Sequence, residues 1–553
     1  MPGGSEDGYR IIFALDVDVN ADPGTIVVRP PRDDWNDYEQ IRVDFAVHLR
    51  ENRVTGPQTY KFFGFLGFLK ATGRFSDARI VRLLLEQTRE AHLEAEAVPG
   101  FFTMLPHMLS YREIVNRLGP DEARVVLRSL RDVVEAEEGP GVHSWLKSAT
   151  DSLVFRKTFL RTTEAFFAWK NAGAILHGME AEQLGRISEE LRISFRLAGR
   201  PNEHQLQFQF AVNERVLPKR FAVIIGNNGV GKSQTLGRIA DAAIRGSGVL
   251  TDGKGERPSF NRILAFYSTE TASRVFPAPQ RRRSKVWYRR FSLGGPGYGR
   301  RRQTTADLIV ELARTNEQIG KKSRFEIFRT AIRAIEGYEE LALPTRETED
   351  PVVHVKALLR GGEQDKLDRF ASIDPGDEVV RWIDGRRYGL SSGELSFVRF
   401  AALASLHIEN SSLLLFDEPE THLHPHFISQ FVMLLDSLLE QTGSAAILAT
   451  HSVYFVREAF EDQVRVLRSD PDRMITVEVP VLRTFGADVG AISYFVFGED
   501  EPSRLAQMVE KRIAGRAKSW ETVFETYKDD LSLDLLGEIR AEIEDRGTAG
   551  SDA

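Results

Sequence analysis

Residues 226–233, Gly226-Asn227-Asn228-Gly229-Val230-Gly231-Lys232-Ser233, constrain this chain more than any other stretch. They follow the apolar run Phe221-Ala222-Val223-Ile224-Ile225 and precede a helical pattern opening at Gln234-Thr235-Leu236. Strand, glycine-rich loop and helix in that order make a phosphate-binding loop. The glycines let backbone N–H groups turn inward onto phosphate oxygens, and the helix N-terminus adds its dipole and free donors. Gly226 to Ser233, with Gln234 behind them, are therefore the candidate nucleotide contacts. Lys232 is placed to reach β- and γ-phosphates and Ser233 to ligate Mg²⁺.

The chain of 553 residues is long enough for about three or four domains. Its 42% hydrophobic and 28% charged residues are ordinary for a globular protein, and no apolar run reaches the length of a membrane span. The first residues are polar and lack a signal-peptide core, so a cytoplasmic location is expected. With no cysteine, disulfides, thiolate metal sites and a cysteine nucleophile are excluded. The net charge of −7 does not by itself advertise nucleic-acid binding.

Residues 11–19 and 41–49 alternate apolar and polar side chains, which predicts N-terminal strands over 1–60. Three- and four-residue spacing then predicts a helical domain over 61–185, in which Phe62, Phe63, Phe65 and Phe68 form a helical core face. An ATPase core is expected over 186–304, a helical insertion over 305–375, the second half of the core over 376–460 and a C-terminal appendage over 461–553. Between 280 and 303 lie nine Arg or Lys residues and no acid, interleaved with Trp287, Tyr288, Phe291 and Tyr298. Basic residues with interleaved aromatics suit phosphate contact and base stacking; a solvated basic loop is the plainer alternative. Asp384-Gly385 signals a hairpin, and Asp470-Pro471-Asp472, between two apolar runs, a hairpin turn rather than a nuclease carboxylate pair.

Three further motifs follow the phosphate loop in order. Leu390-Ser391-Ser392-Gly393-Glu394 enters a helix, and such a turn is commonly only a cap. It is also an anion site. The strand Leu413-Leu414-Leu415-Phe416 ends in Asp417-Glu418, and Ala445 to Ala449 ends in Thr450-His451-Ser452. At strand carboxyl ends, Asp417 can hold the Mg²⁺ shell, Glu418 can orient or deprotonate a water, and His451 can contact a γ-phosphate. Phosphoryl transfer needs mainly such positioning and charge neutralisation.

With these motifs in this order, residues 190–460 resemble the ATP-binding cassette ATPases. Leu390 to Glu394 is similar to their signature motif, Leu413 to Pro419 to their Walker B strand with its catalytic glutamate, and His451 to their switch histidine. Asp417-Glu418-Pro419-Glu420-Thr421-His422-Leu423-His424-Pro425 resembles the soluble branch, which holds SMC- and RecF-like heads, OLD-type ATPases and the PtuA-like ATPases of bacterial antiphage defence. The resemblance implies an α/β ABC-type head with a helical N-terminal domain and insertion. It implies ATP and Mg²⁺ as cofactors and a head-to-head homodimer in which Ser391, Ser392, Gly393 and Glu394 complete the partner's site. It also implies a separate effector, a nuclease being the leading expectation. The alternatives are a DNA repair or DNA-loading ATPase acting on DNA through residues 281–302, and a transporter's nucleotide-binding subunit. The usual glutamine loop has no firm counterpart; Gln303 is the nearest candidate.

Overall fold

The computed structural model describes residues 8–15, 21–30, 41–50, 58–69, 79–88, 90–139, 143–268, 274–278, 284–293, 303–346, 351–374, 376–421, 423–497, 504–516, 519–528 and 530–549. The protein is mixed α/β and is built on two large sheets with separate cores.

The N-terminal sheet runs in the order His92–Glu94, Arg10–Ala14, Thr25–Arg29, Arg42–His48, Thr59–Phe68, Phe101–Met104. It shares one core with the helices Met108–Leu118, Pro120–Ser129 and Thr163–Asn171. The helical face expected of Phe62, Phe63, Phe65 and Phe68 is corrected here, since all four lie on the strand Thr59–Phe68, which also crosses the boundary expected between residues 60 and 61. The spacing of the four rings matches a helix by coincidence. Gly64 and Gly67 decide for the strand. A Cβ on Gly64 would come within 2.7 Å of the Phe45 ring, and one on Gly67 within 2.6 Å of the Phe102 ring, so both glycines admit rings from neighbouring strands.

The second sheet has the order Trp287–Ser292, Arg262–Tyr267, Leu413–Asp417, Ala445–Ala449, Phe221–Gly226, Val464–Ser469, Ile475–Glu478. All neighbours are parallel except the last pair, a hairpin turning at Asp470 to Met474. The core sheet therefore reaches residue 478, beyond the end expected at 460. One face carries the helix Lys232–Arg245 and a small antiparallel sheet of Leu250–Asp252, Glu190–Arg196 and Glu203–Gln209. The other carries Thr305–Arg314, Arg324–Ala331, Ser392–His407 and Pro425–Thr442. Such a sheet, buried on both faces, explains the unbroken apolar strands 221–225, 413–416 and 445–449.

The insertion expected to be helical over 305–375 is mixed. Its strands Leu341–Pro344 and Val352–His354 join Val380–Ile383 and Arg386–Gly389 in a four-stranded antiparallel sheet. Its last hairpin turns at Asp384 and Gly385, with φ of 47° and 76°. These short strands escape a periodicity reading because each spans too few residues to show alternation.

The two cores meet through buried ion pairs. Arg112 bonds Glu182 at 2.5 Å and Glu409 at 2.6 Å, and Arg324 bonds the other oxygen of Glu409. Asn410 and the Gly320 amide also donate to Glu182, at 3.0 and 2.8 Å.

Candidate nucleotide-binding site

In a parallel sheet, ligands gather at the carboxyl ends of the strands. The register aligns three of those ends, pairing Asp417 with Ala449, Ala449 with Ile224 and Gly226 with Leu467. The phosphate loop, Asp417-Glu418 and Thr450-His451, separated by up to some two hundred residues of sequence, thus become neighbours.

The loop turns because its glycines can. Gly226, Gly229 and Gly231 have φ of 152°, 80° and 101°; a Cβ on Gly226 would collide with the Leu467 carbonyl at 2.2 Å, and one on Gly231 with the Leu197 side chain at 2.3 Å. Asn227, Asn228 and Gly229 are exposed, Val230 is buried beneath them, and Gln234 is exposed on the helix. The Lys232 ammonium is buried and donates to the carbonyls of Gly226 at 2.8 Å and Asn227 at 3.2 Å. Burial pushes its pKa down, opposed by Glu418, Glu420 and Asp417.

Asp417 is 1% exposed, and its Oδ1 has no hydrogen-bond partner among the described residues. Burial pushes its carboxyl up to about 6; Glu418 and Glu420 add to that push, while a hydrogen bond from Ser233 and the Lys232 charge oppose it. A buried carboxylate with an orphaned oxygen, held by a serine hydroxyl beside two further carboxylates, fits Mg²⁺. Such an ion would take Ser233 and Asp417 and leave its remaining positions to phosphate and water. Among the described residues no cluster of three or more His, Asp or Glu makes an all-protein metal cage.

Glu418 breaks the strand. Its φ is +48°, uncommon for a residue with a side chain, and its carbonyl accepts from both the amide and the hydroxyl of Thr421, at 3.2 and 3.0 Å. This kink leaves the Glu418 carboxylate partly exposed, 4.0 Å from Nδ1 of His451.

Glu420 is a site residue that the sequence reading missed. It is buried, and its Oε1 accepts from Thr450 Oγ1 at 2.7 Å and the His451 amide at 2.9 Å, with His451 Nδ1 at 3.0 Å. Glu420 therefore fixes the imidazole of His451, the role a carboxylate commonly plays behind a working histidine. Arg200 was also missed; it donates to the Gly229 carbonyl at 2.7 Å from the turn after Glu190–Arg196. Neither residue carries a local signal, because both depend on strand neighbours distant in sequence.

The signature turn stands apart. Ser391 caps the helix Ser392–His407, and Glu394 closes the capping box, accepting from the Ser391 amide at 2.8 Å. The other Glu394 oxygen accepts from Arg381. Ser391 and Ser392 are exposed and Gly393 is buried. The helix runs against the strands: His407 O accepts from Arg262 at 3.1 Å at one end, and Ser396 Oγ donates to Leu293 O at 3.2 Å at the other. Its first turn thus stands at the carboxyl end of the sheet near the edge strand Trp287–Ser292, four strand positions from the phosphate loop. At about 4.8 Å per strand, that is roughly 19 Å away.

Gln303 donates to Glu311 at 2.7 Å and its carbonyl accepts from Arg399; no described contact ties it to the phosphate loop. The stacking role expected of the aromatics in the basic segment is corrected for three of them. Trp287, Tyr288 and Phe291 lie on the edge strand; Tyr288 and Phe291 are buried, Phe291 stacks on Phe266 at 5.3 Å, and Trp287 lies under Arg262. Alternation along a strand, not exposure, set their spacing. Arg281, Arg282, Arg283, Tyr298, Arg300, Arg301 and Arg302 lie outside the described residues, as does His422.

A family model described as "AAA domain, putative AbiEii toxin, Type IV TA system" matches residues 374–457, from the hairpin through the signature turn and Asp417-Glu418 to His451. The matched segment supplies two neighbouring strands of the parallel sheet, Leu413–Asp417 and Ala445–Ala449. Protein ea59 of Escherichia phage lambda is 32% identical over 145 residues, which are 25% of this chain and 26% of that protein. UvrABC system protein A of Chlamydia muridarum is 33% identical over 72 residues, 13% of this chain and 4% of that protein. The chain thus spans about a quarter or less of the curated relatives it matches. Among solved structures, UvrA2 from Deinococcus radiodurans aligns with 60% of this chain and 43% of its own at 14% identity and a TM-score of 0.29. No described helix is long and apolar enough to cross a membrane.

Proposed function

We propose that the chain binds ATP with Mg²⁺, closes as a head-to-head homodimer and hydrolyses ATP to reopen, and that this cycle gates a separate effector, foremost a nuclease, in antiphage defence. The observation that carries the ATPase reading is the convergence of Lys232, Ser233 with Asp417, Glu418 and the Glu420–His451 pair at one sheet end. Lys232 neutralises the β- and γ-phosphates, Glu418 accepts the proton of the attacking water, and His451 contacts the γ-phosphate. Mg²⁺ would supply charge neutralisation between the phosphates. The exposed Ser391 and Ser392, roughly 19 Å from the loop of their own chain, support their use on the ATP of a second copy. The family description, which names a toxin system, suits a gating head better than a transport motor.

A second reading, direct action on DNA, draws on the short likeness to UvrABC system protein A. A transporter subunit is the least favoured, since the chain adds a whole N-terminal sheet-and-helix unit to its head.

The test is purified protein with ATP and Mg²⁺. Lys232→Ala should lose nucleotide binding. Glu418→Gln should keep binding, lose turnover by about 10²- to 10⁴-fold and accumulate as an ATP-bound dimer in light scattering. Ser392→Arg should bind ATP and remain monomeric. Wild-type turnover by a strictly monomeric form would sink the composite site, and full turnover by Glu418→Gln would remove that residue from its role.

A further inference from the structure

Five basic side chains surround one cleft at the seam between the N-terminal unit and the ATPase core. Arg156 and Lys157 end the helix Leu153–Lys157, Arg161 ends the turn Phe159–Arg161, and Arg257 and Lys285 come from the core. The cleft has a volume of about 730 Å³, and among the described residues no carboxylate lines it. A hollow of about 230 Å³ opens beside it and shares Arg257 and Lys285, with Glu256 on its wall.

The Arg257 charge has no described carboxylate partner. Arg257 is half-buried, yet its described hydrogen bonds go to neutral acceptors: Leu160 O at 3.1 Å, Thr163 Oγ1 at 2.8 Å and Lys285 O at 3.4 Å. Burial pushes the Lys285 ammonium below its ordinary pKa, and Arg161 and Arg257 push it further. Arg156 pairs with Asp151 at the exposed rim. By contrast the buried Arg112 and Arg324 at the other seam of the two units are each met by carboxylates. Cations crowded in a concave, partly desolvated site are relieved by a bound anion.

We propose that this cleft binds the phosphodiester backbone of a nucleic acid, with Arg156, Lys157, Arg161 and Lys285 contacting phosphates and Arg257 holding the wall between them. The cleft is much larger than one phosphate, and its cations come from both of its sides, as a chain of repeated charges requires. A backbone groove without described stacking rings reads charge rather than sequence. This deepens the DNA-acting reading above and rests on it only for the class of ligand.

The experiment measures binding of a labelled single strand and a labelled duplex by fluorescence anisotropy, without nucleotide, between about 50 and 200 mM salt. Wild-type protein should bind the duplex with a log K against log salt slope near about −3.6 if four phosphates are neutralised. The double variant Arg156→Glu/Lys157→Glu, at two exposed positions, should bind about 10-fold or more weakly and flatten the slope by about 1.8. Lys285→Gln should flatten it by about 0.9. Thermal melting and ATP turnover without DNA should stay as in the wild type. Unchanged affinity and slope in both variants would overturn the proposal. Binding of tripolyphosphate that these variants abolish, with no binding of either DNA, would overturn it in favour of a small polyphosphate ligand. Because nucleotide is absent, failure here leaves the ATPase reading standing, and full turnover by Glu418→Gln leaves the cleft standing.

Discussion

Glu409 and Asp417 stand at opposite ends of the strand Leu413–Asp417, and the two residues are equally hidden from water, at 1% exposure each. Their chemistry is opposite. At the amino end burial alone would raise Glu409, but Arg112, Arg324 and Arg262 outweigh it and hold its carboxyl at about 2. At the carboxyl end Asp417 meets Lys232 and Ser233, yet burial and two neighbouring carboxylates dominate and lift it to about 6. One end of the strand is satisfied within the chain; the other keeps an orphaned oxygen on Asp417 and another on Glu420. Stability is built at the first end. At the second, stability is given up, and under the proposed function the groups left unsatisfied are those that would meet an incoming cation and phosphates.

The largest effect expected from this contrast is on folding. Arg112→Ala leaves Glu182 and half of Glu409 buried without their cation, which should cost about 3–5 kcal/mol. Chemical denaturation measures it, with Arg10→Ala as the control, since the Arg10–Glu94 pair is exposed and solvent-screened and should matter far less. Equal losses in the two variants would break the comparison.

Next comes Asp417→Asn in metal-free protein. A carboxyl raised from 3.8 to about 6 binds more protons folded than unfolded between those values. Its contribution to stability is therefore present below pH 3.8 and lost as pH rises through about 6. At about pH 7 the asparagine variant should be the more stable by up to roughly 3 kcal/mol, and the gain should vanish near pH 4. Glu409, depressed from 4.5 to about 2, has the reverse sign, with its stabilisation present above 4.5 and lost as pH falls through about 2. Glu409→Gln should therefore destabilise at about pH 7, and a shift of the same sign in both variants would contradict the contrast.

The smallest effect sharpens the carboxyl end alone. Glu420→Gln keeps an oxygen for Thr450 and the His451 amide but removes the charge behind the imidazole. It should lower kcat about 10-fold, or about 1.4 kcal/mol, with KM for ATP little changed. Thr450→Val, which removes a neutral donor to Glu420 and an acceptor for the Ser452 amide but leaves the charge, should cost less. If KM rises while kcat holds, Glu420 acts on binding rather than on the positioning of His451.

The phosphate loop was legible because its demands are local: three glycines at positive φ, a lysine and a serine in fixed succession after an apolar strand. The motif order and the hairpins at Asp384-Gly385 and Asp470-Pro471-Asp472 were legible for the same reason. Phe62 to Phe68 misled because ring spacing alone does not reveal that Gly64 and Gly67 admit the rings of Phe45 and Phe102. Trp287, Tyr288 and Phe291 misled in a similar way, since Trp287 and Phe291 pack on His407 and Phe266 from other segments, and Tyr288 packs in the core on the opposite face of the sheet.

By itself the sequence determined a strand, glycine-rich loop and helix, and the residue types that accompany them at later strand ends. The tertiary structure alone decided which ends meet. Parallel pairing brings Glu420 to Thr450 and His451, carries the signature turn away from its own phosphate loop, and sets Arg112 against Glu409 across two units. Local backbone preferences extend over a few residues and are written in the order of the chain. Burial, charge pairing and the shifted acidities of Asp417 and Glu409 arise from neighbours far apart in that order, and only the packed fold supplies them.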